Sequence, residues 1–272
     1  MLVLSTMPSY RRELLKALFK RTKPSSCSFD KLQVSLSHIR IDTRQLSRYN
    51  RYFAFNDNEI PLPFWFVFSQ PAQLALFNLP QFPASVVGLV HTGLVIEKHR
   101  PGQVDDEYQV SLSVQSCEKT DKGLKVSLHI VIQSNGEKVV SIQSDYLSPS
   151  CDRKRGKPKS NAQPFDTSEA RKVEYDVRKA RKYARISGDY NPIHLSSALA
   201  RLFGFRQPIL HGMYSVASLY AYSYKRNVGS DKQMRVKFKR PLFLPQSAYI
   251  LQMDTRGYLI NSDGKACVEM VW

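Results

Sequence analysis

Tyr183-Ala-Arg-Ile-Ser-Gly-Asp-Tyr-Asn-Pro-Ile-His194, continued nine residues later by Phe203-Gly-Phe-Arg-Gln-Pro-Ile-Leu-His-Gly-Met213, is the stretch on which the chain turns. Gly188 ends a helix, and Pro192 forbids its continuation because proline has no N–H to donate. Asp189 and His194 therefore lie on a short irregular segment. Five apart on a helix the two side chains would diverge; on a turn both can point into one cleft. A carboxylate beside an imidazole is a general acid/base pair, since modest burial brings either group near neutrality. His211-Gly212-Met213 then opens a second helix, read over residues 209–224, that carries no formal charge before Lys225. A helix apolar on all sides is a buried one. Its unpaired N–H groups and positive dipole end suit an oxygen that gains negative charge, and Gly212 has no side chain to obstruct a carbonyl approaching its N–H. A plainer reading stays open here: Asp189 closes an Asx-turn on Asn191 or Pro192, and His194 is a satisfied core histidine.

Outward from this stretch the pattern is strand, helix, helix, then strands. Val173, Tyr175 and Val177 alternate with charged residues, and Asp176 can cap a short helix with Val177, Ala180, Tyr183 and Ala184 facing inward. Beyond the uncharged helix, Met234, Val236 and Phe238 alternate with basic residues. Strands at 248–253, 258–261 and 266–272 follow, separated by Arg256-Gly257 and Asp263-Gly264 turns. One buried helix followed by consecutive antiparallel strands implies a sheet wrapped around that helix. The N-terminal half repeats this order loosely: a strand at 32–41, an Asp42-capped helix, an apolar helix at 61–79, then strands at 85–97, 108–117, 124–133 and 138–146. Asn135-Gly136 joins the last two as a hairpin. Only the order of elements supports a repeat.

Composition narrows the classes. With 272 residues and 42% hydrophobic content the chain has a real core and room for two small domains. The basic run 153–159 reads as a solvated linker, which gives residues 1–150, a linker at 151–168 and a second domain at 169–272. Four scattered cysteines, with no CxxC pair, point to a reducing cytoplasm. Residues 61–96 contain no Asp, Glu, Lys or Arg, but five prolines interrupt them, so they read as a buried helix and strand rather than a bilayer span. Residues 11–21 form a basic amphipathic stretch, read as a helix docked on its own protein in preference to a membrane surface. His91, alone in an apolar strand, reads as structural. The net charge of +17 implies an anionic partner. No RNP-type strand, GXXG loop or zinc finger accompanies it, which disfavours nucleic acid.

Ser187-Gly-Asp-x-Asn-Pro-Ile-His194, with Gly212 eighteen residues after the histidine in Pro208-Ile-Leu-His-Gly-Met213, resembles the hydratase motif of MaoC-like proteins. Lys237-Phe-Lys-Arg-Pro-Leu-Phe-Leu-Pro245 resembles the strand and loop that follow it there. The resemblance is specific over 175–245 and only architectural over the N-terminal half. It implies an α+β fold of two hot dogs in tandem, each an antiparallel sheet wrapped around a long helix. It also implies an (R)-specific enoyl-CoA hydratase or 3-hydroxyacyl dehydratase of fatty acid metabolism. Asp189, His194 and Gly212 would be catalytic, and Asn191, His211 and Met213 substrate-binding. No metal or redox cofactor is implied. The partner would be an acyl-CoA or an acyl carrier protein thioester, and the chain a monomer or homodimer. Two departures stand out. Ser196 replaces an acidic residue common in the family, and the N-terminal counterpart, residues 49–57, lacks Gly-Asp and His. One active site is therefore expected, with the first hot dog degenerate. A thioesterase on the same fold and a non-catalytic acyl-CoA binder are the rival readings, because fold does not fix function.

Overall fold

Two almost uncharged helices organise the molecule. The computed structural model describes residues 1–20, 32–149 and 163–272; the basic run 153–159, and with it most of the expected linker, lies outside them. Six α-helices are described: α1 (Tyr10–Phe19), α2 (Thr43–Phe53), α3 (Leu62–Phe77), α4 (Val177–Ser187), α5 (Ser197–Leu202) and α6 (Gly212–Tyr224). The strands are β1 (Leu2–Leu4), β2 (Gln33–Ile39), β3 (Val90–Lys98), β4 (Tyr108–Thr120), β5 (Gly123–Ser134), β6 (Glu137–Pro149), β7 (Arg171–Tyr175), β8 (Gln233–Phe238), β9 (Gln246–Met253), β10 (Arg256–Asn261) and β11 (Ala266–Val271).

All eleven strands form one sheet in the order β1-β2-β4-β5-β6-β3-β8-β11-β10-β9-β7. The five strands β2-β4-β5-β6-β3 and the five strands β7-β9-β10-β11-β8 follow the same internal order, and the two sets meet where β3 pairs antiparallel with β8. The first set lies against α3 and the second against α6. Each helix buries its whole length because a sheet face curls around it. Trp65, Phe64, Leu62 and Leu76 on α3, and Val216, Ala217 and Leu219 on α6, are almost wholly excluded from solvent. Each large apolar side chain so buried contributes roughly 1.5–3 kcal/mol before entropy is counted.

Local chemistry sets the ends of these elements. Asp42 accepts hydrogen bonds from the Arg44 and Gln45 N–H groups at the start of α2, and Asp176 accepts from the Lys179 N–H at the start of α4. Asn135 and Gly136 both have positive φ, 54° and 79°, as a type I′ hairpin turn requires. Residues 61–79 behave as one helix despite their prolines. Pro63 sits in the first turn, where no N–H is needed, and only Pro71 breaks the ladder. No helix among the described residues is long and apolar enough to cross a membrane.

Several boundaries differ from the pattern reading. The uncharged helix begins at Gly212 rather than 209, because Leu210 N–H bonds to the Leu242 carbonyl and Ile209 bridges Phe243. The strand expected from 85 starts at Val90 after a short 3-10 turn, and Val177 belongs to α4 rather than to β7. β1 and α5 are too short to carry a periodic signal. The basic stretch near the N-terminus is indeed a docked helix. α1 packs on α3 and buries Glu13, Leu14 and Ala17.

Candidate active site

Gly188 ends α4 in the left-handed conformation, φ 84°, which releases the chain into the turn that carries Asp189. Asn191 caps a single 3-10 turn, Pro192–His194, by accepting from the Ile193 N–H. This brings Asp189 and His194 to one side of a cavity of about 320 Å³. Gly212, the first residue of α6, lines the same cavity, and His211 stacks behind His194.

The carboxylate of Asp189 is held from three directions. Tyr10 donates its hydroxyl to Oδ1 at 2.6 Å, Gln70 donates Nε2–H to Oδ2 at 2.9 Å, and the Asn191 N–H reaches Oδ1 at 3.1 Å. The last contact is an Asx-turn, so the plainer reading of Asp189 is true of its local geometry and compatible with the rest. Burial works to raise its pKa. The imidazoles of His211 and His194 and the hydrogen bonds from Tyr10 and Asn191 outweigh it and hold the group below the usual carboxylate value.

The imidazoles are set by main-chain acceptors. His194 donates Nδ1–H to the Ile209 carbonyl at 2.7 Å. A carbonyl can only accept, so Nδ1 carries the proton and Nε2 keeps a bare lone pair. His211 donates Nε2–H to the Asp189 carbonyl at 3.1 Å and stacks on His194 with ring centroids 3.9 Å apart. Burial lowers the pKa of His194, against the partial offset of Asp189 and the Ile209 carbonyl. Burial, reinforced by His194, takes His211 down to about 3. Both rings are therefore neutral near pH 7.

Asp189, His194 and His211 place one ligand-type atom each within 4.8 Å of one another. Both carboxylate oxygens already accept hydrogen bonds, and His194 Nδ1 and His211 Nε2 are each spent on a main-chain carbonyl. The arrangement suits proton transfer better than chelation.

Against this geometry, a MaoC-like domain model matches residues 157–254. The C-terminal half of the chain is similar to the MaoC-like family. Similarity extends across both halves. 3-hydroxyacyl-thioester dehydratase X of Mycobacterium tuberculosis is 27% identical over 256 residues, covering 92% of this chain and 91% of that protein. A crystal structure of HtdX from Mycobacterium tuberculosis superposes with a TM-score of 0.75 at 26% identity, over 87% of this chain and 98% of that one. A MaoC-like dehydratase from Phytophthora capsici shares the fold, with a TM-score of 0.62 at 19% identity over 90% of this chain and 98% of that one.

All six residues singled out in the MaoC-like motif meet at this place. Asp189, Asn191, His194, Gly212 and Met213 line the cavity, and His211 backs it. A Cβ on Gly212 would sit 2.9 Å from Phe238 Cε1, so the glycine is required by the close approach of that ring. Sequence reasoning did not name the residues that the other half contributes. Tyr10, Phe66, Gln70, Gln73, Phe77 and Tyr146 also line the cavity. Gln70 and Gln73 carried a usable signal, as two amides three apart on an otherwise apolar helix. Tyr10 carried none. His91 lines the cavity too, packed between Phe66, Tyr146 and Phe238, bonded to Ser144 Oγ at 2.9 Å, and lowered by burial to about 3.

The N-terminal half presents a contrasting turn. Ala54 ends α2 in the same left-handed conformation as Gly188, φ 59°, and the next residue is Phe55 instead of an aspartate. Phe55 is buried against Tyr220 and Tyr224 of α6, where Asp189 meets Gln70 of α3. Aromatic rings fill the place of a polar cleft.

Proposed function

We propose that this chain interconverts trans-2-enoyl and (3R)-3-hydroxyacyl thioesters by adding or removing water, as a hydratase or dehydratase of fatty acid metabolism. The observation that carries the reading is the pairing of an ionised Asp189 with a neutral His194 whose Nε2 lone pair is free, at the wall of a largely apolar cavity that the N-terminus of α6 also lines. In the hydration direction a water between Asp189 and His194 attacks C3 of the enoyl thioester. The pair takes up the proton that the water loses, and a proton is delivered to C2. The thioester carbonyl gains negative charge on the way and lies against the Gly212 N–H, where the helix end stabilises it. Dehydration runs the same steps in reverse. No metal or redox group takes part in this scheme.

The architecture proposed is a tandem pair of hot dogs, with boundaries at 1–150 and 169–272, in which the first is degenerate and supplies the acyl wall through α3, β3 and β6. Asn191, His211 and Met213 shape the substrate's seat. The carrier is CoA or an acyl carrier protein, both anionic and both matched to a net charge of +17. Cys267, a buried thiol without a disulfide, accords with a reducing compartment such as the cytoplasm. With both hot dogs in one chain, a monomer or homodimer suffices.

The test is loss of enoyl-thioester absorbance with crotonyl-CoA and longer enoyl-CoAs, in wild type and in Asp189→Asn and His194→Gln. Hydration by wild type and a fall of roughly 10²-fold or more in each variant is expected. Tight binding without turnover would assign a non-catalytic binder, and release of free CoA without a hydroxyacyl product would assign a thioesterase.

A further inference from the structure

We infer that Tyr10, from the helix at the opposite end of the chain, is a positioning residue that holds the Asp189 carboxylate in its working orientation through the 2.6 Å hydrogen bond to Oδ1. The inference rests on the hydratase reading and deepens it.

The placement of Tyr10 is built rather than incidental. It is the first residue of α1, and α1 is tied to α3 along its length. Asn78 donates Nδ2–H to both the carbonyl and the carboxylate of Glu13, at 2.8 Å each. At the far end Lys20 Nζ donates to the carbonyls of Phe77, Leu79 and Phe82 at 2.7, 2.8 and 3.1 Å, and so satisfies the end of α3. At the near end the Arg11 guanidinium lies over the Tyr190 ring, 4.2 Å from its centre, next to Asp189 in sequence. Three independent attachments thus fix the register of α1. The hydroxyl arrives where it does because the helix cannot slide.

The electrostatics agree with the geometry. The titratable groups around the Asp189 carboxylate are Tyr10 from α1, Tyr146 from β6, Tyr183 from α4, and His194 and His211 on either side. None is cationic near pH 7, since burial and its neighbours keep His211 and His194 neutral and raise the tyrosines. The two imidazoles and the hydrogen bonds to the carboxylate, that from Tyr10 first among them, together hold it ionised. Tyr10 is raised well above its ordinary value by burial first and by Asp189 second, so it is an obligate donor at any working pH. Of the three donors to Asp189, only Tyr10 comes from outside the cavity's two core helices and their turn. It also lines the cavity, so its contact closes the carboxylate from one side and leaves His194 Nε2 as the open acceptor.

The experiment pairs kinetics with a direct reading of the carboxylate. Tyr10→Phe keeps the ring and removes only the hydroxyl. In protein carrying ¹³C-labelled aspartate, with the Asp189 resonance assigned by its loss in Asp189→Asn, the Asp189 carboxyl should titrate roughly one pH unit higher in Tyr10→Phe than in wild type. In enoyl-CoA hydration kcat should fall roughly three- to tenfold with KM little changed, while the melting temperature stays near that of wild type. An Asp189 titration that coincides in both proteins, or a variant whose kcat equals that of wild type, overturns the positioning role. A lower kcat accompanied by a lower melting temperature and an unmoved titration overturns it as well, since that is the signature of lost packing. If wild type itself does not turn over any enoyl thioester while the titration still shifts, it is the hydratase reading that fails, and the positioning role falls with it for want of a reaction.

Discussion

Asp189→Asn isolates the charge of the carboxylate with the least change in shape. The native group accepts from Tyr10 and the Asn191 N–H on Oδ1 and from Gln70 on Oδ2. An asparagine that keeps its oxygen toward Tyr10 and Asn191 turns its amide nitrogen toward Gln70 Nε2, donor against donor at about the native 2.9 Å. Left in place, that mismatch costs about 1–3 kcal/mol, the usual penalty for a buried polar group without a partner. Rotating the Gln70 amide by half a turn presents its oxygen and removes most of the cost. The net loss of stability is therefore about 1 kcal/mol or less, a few degrees in melting temperature for a chain of this size. The catalytic loss is far larger. Removing a general acid/base costs 10²–10⁴ in rate, or roughly 2.7–5.5 kcal/mol of transition-state stabilisation. The two scales separate folding from chemistry. Enoyl-CoA hydration measured beside a thermal melt should show a folded protein with kcat down by about 100-fold or more. A folded Asp189→Asn protein that retains a third of wild-type kcat would falsify the role given to the carboxylate.

Three further outcomes follow from the same geometry. Because burial lowers His194 below the ordinary imidazole value of 6.5, the base is already neutral at pH 7; kcat/KM should stay level through neutrality and fall only at lower pH, and an acid limb at or above pH 6.5 would contradict this. Gly212→Ala places a Cβ 2.9 Å from Phe238 Cε1 and 3.3 Å from Cδ1, while that ring already packs on His91 with centroids 4.5 Å apart. The overpacking should cost about 1–3 kcal/mol and the blocked approach to the N–H roughly tenfold or more in kcat/KM, so an alanine variant as active and stable as wild type would remove Gly212 from the scheme. Finally, His211, 1% exposed, is lowered by burial from 6.5 to about 3. A depressed imidazole binds fewer protons folded than unfolded, so its stabilisation is full above pH 6.5 and is lost as pH falls toward 3, at about 1.4 kcal/mol per pH unit. Chemical denaturation below pH 6.5 should show that slope at least, and His211→Phe should reduce it by about 1.4 kcal/mol per pH unit, with the part due to His91 and His194 remaining.

Most of the fold was legible because it follows from local rules. Hydrophobic alternation marked the strands, Asp42 and Asp176 capped helices where short polar acceptors should, and Asn135-Gly136 made the turn its positive φ values demand. Boundaries slipped where a tertiary bond overrode the pattern, as when Leu210 joined Leu242 instead of opening α6. The site was half legible. Asp189, His194 and Gly212 stand close in sequence, and Gly188 and Pro192 force the turn between the first two, so residue types and spacing were enough to bring them together.

What residues 183–213 could not reveal is what surrounds them. Tyr10 is 179 residues from Asp189 and Gln70 is 119 away. No periodicity or motif connects positions so distant. Their meeting depends on β3 pairing with β8 and on α1 being pinned to α3, long-range contacts whose loop-closure entropy only the packed core repays. The sequence by itself determined that there is a turn bearing an acid and a base beside the open end of a buried helix. The tertiary structure alone decided that the base is the Nδ1–H tautomer with Nε2 free, that the acid is held ionised by two imidazoles and its hydrogen-bond donors, and that the other half of the chain supplies two of those donors, Tyr10 and Gln70, together with much of the cavity.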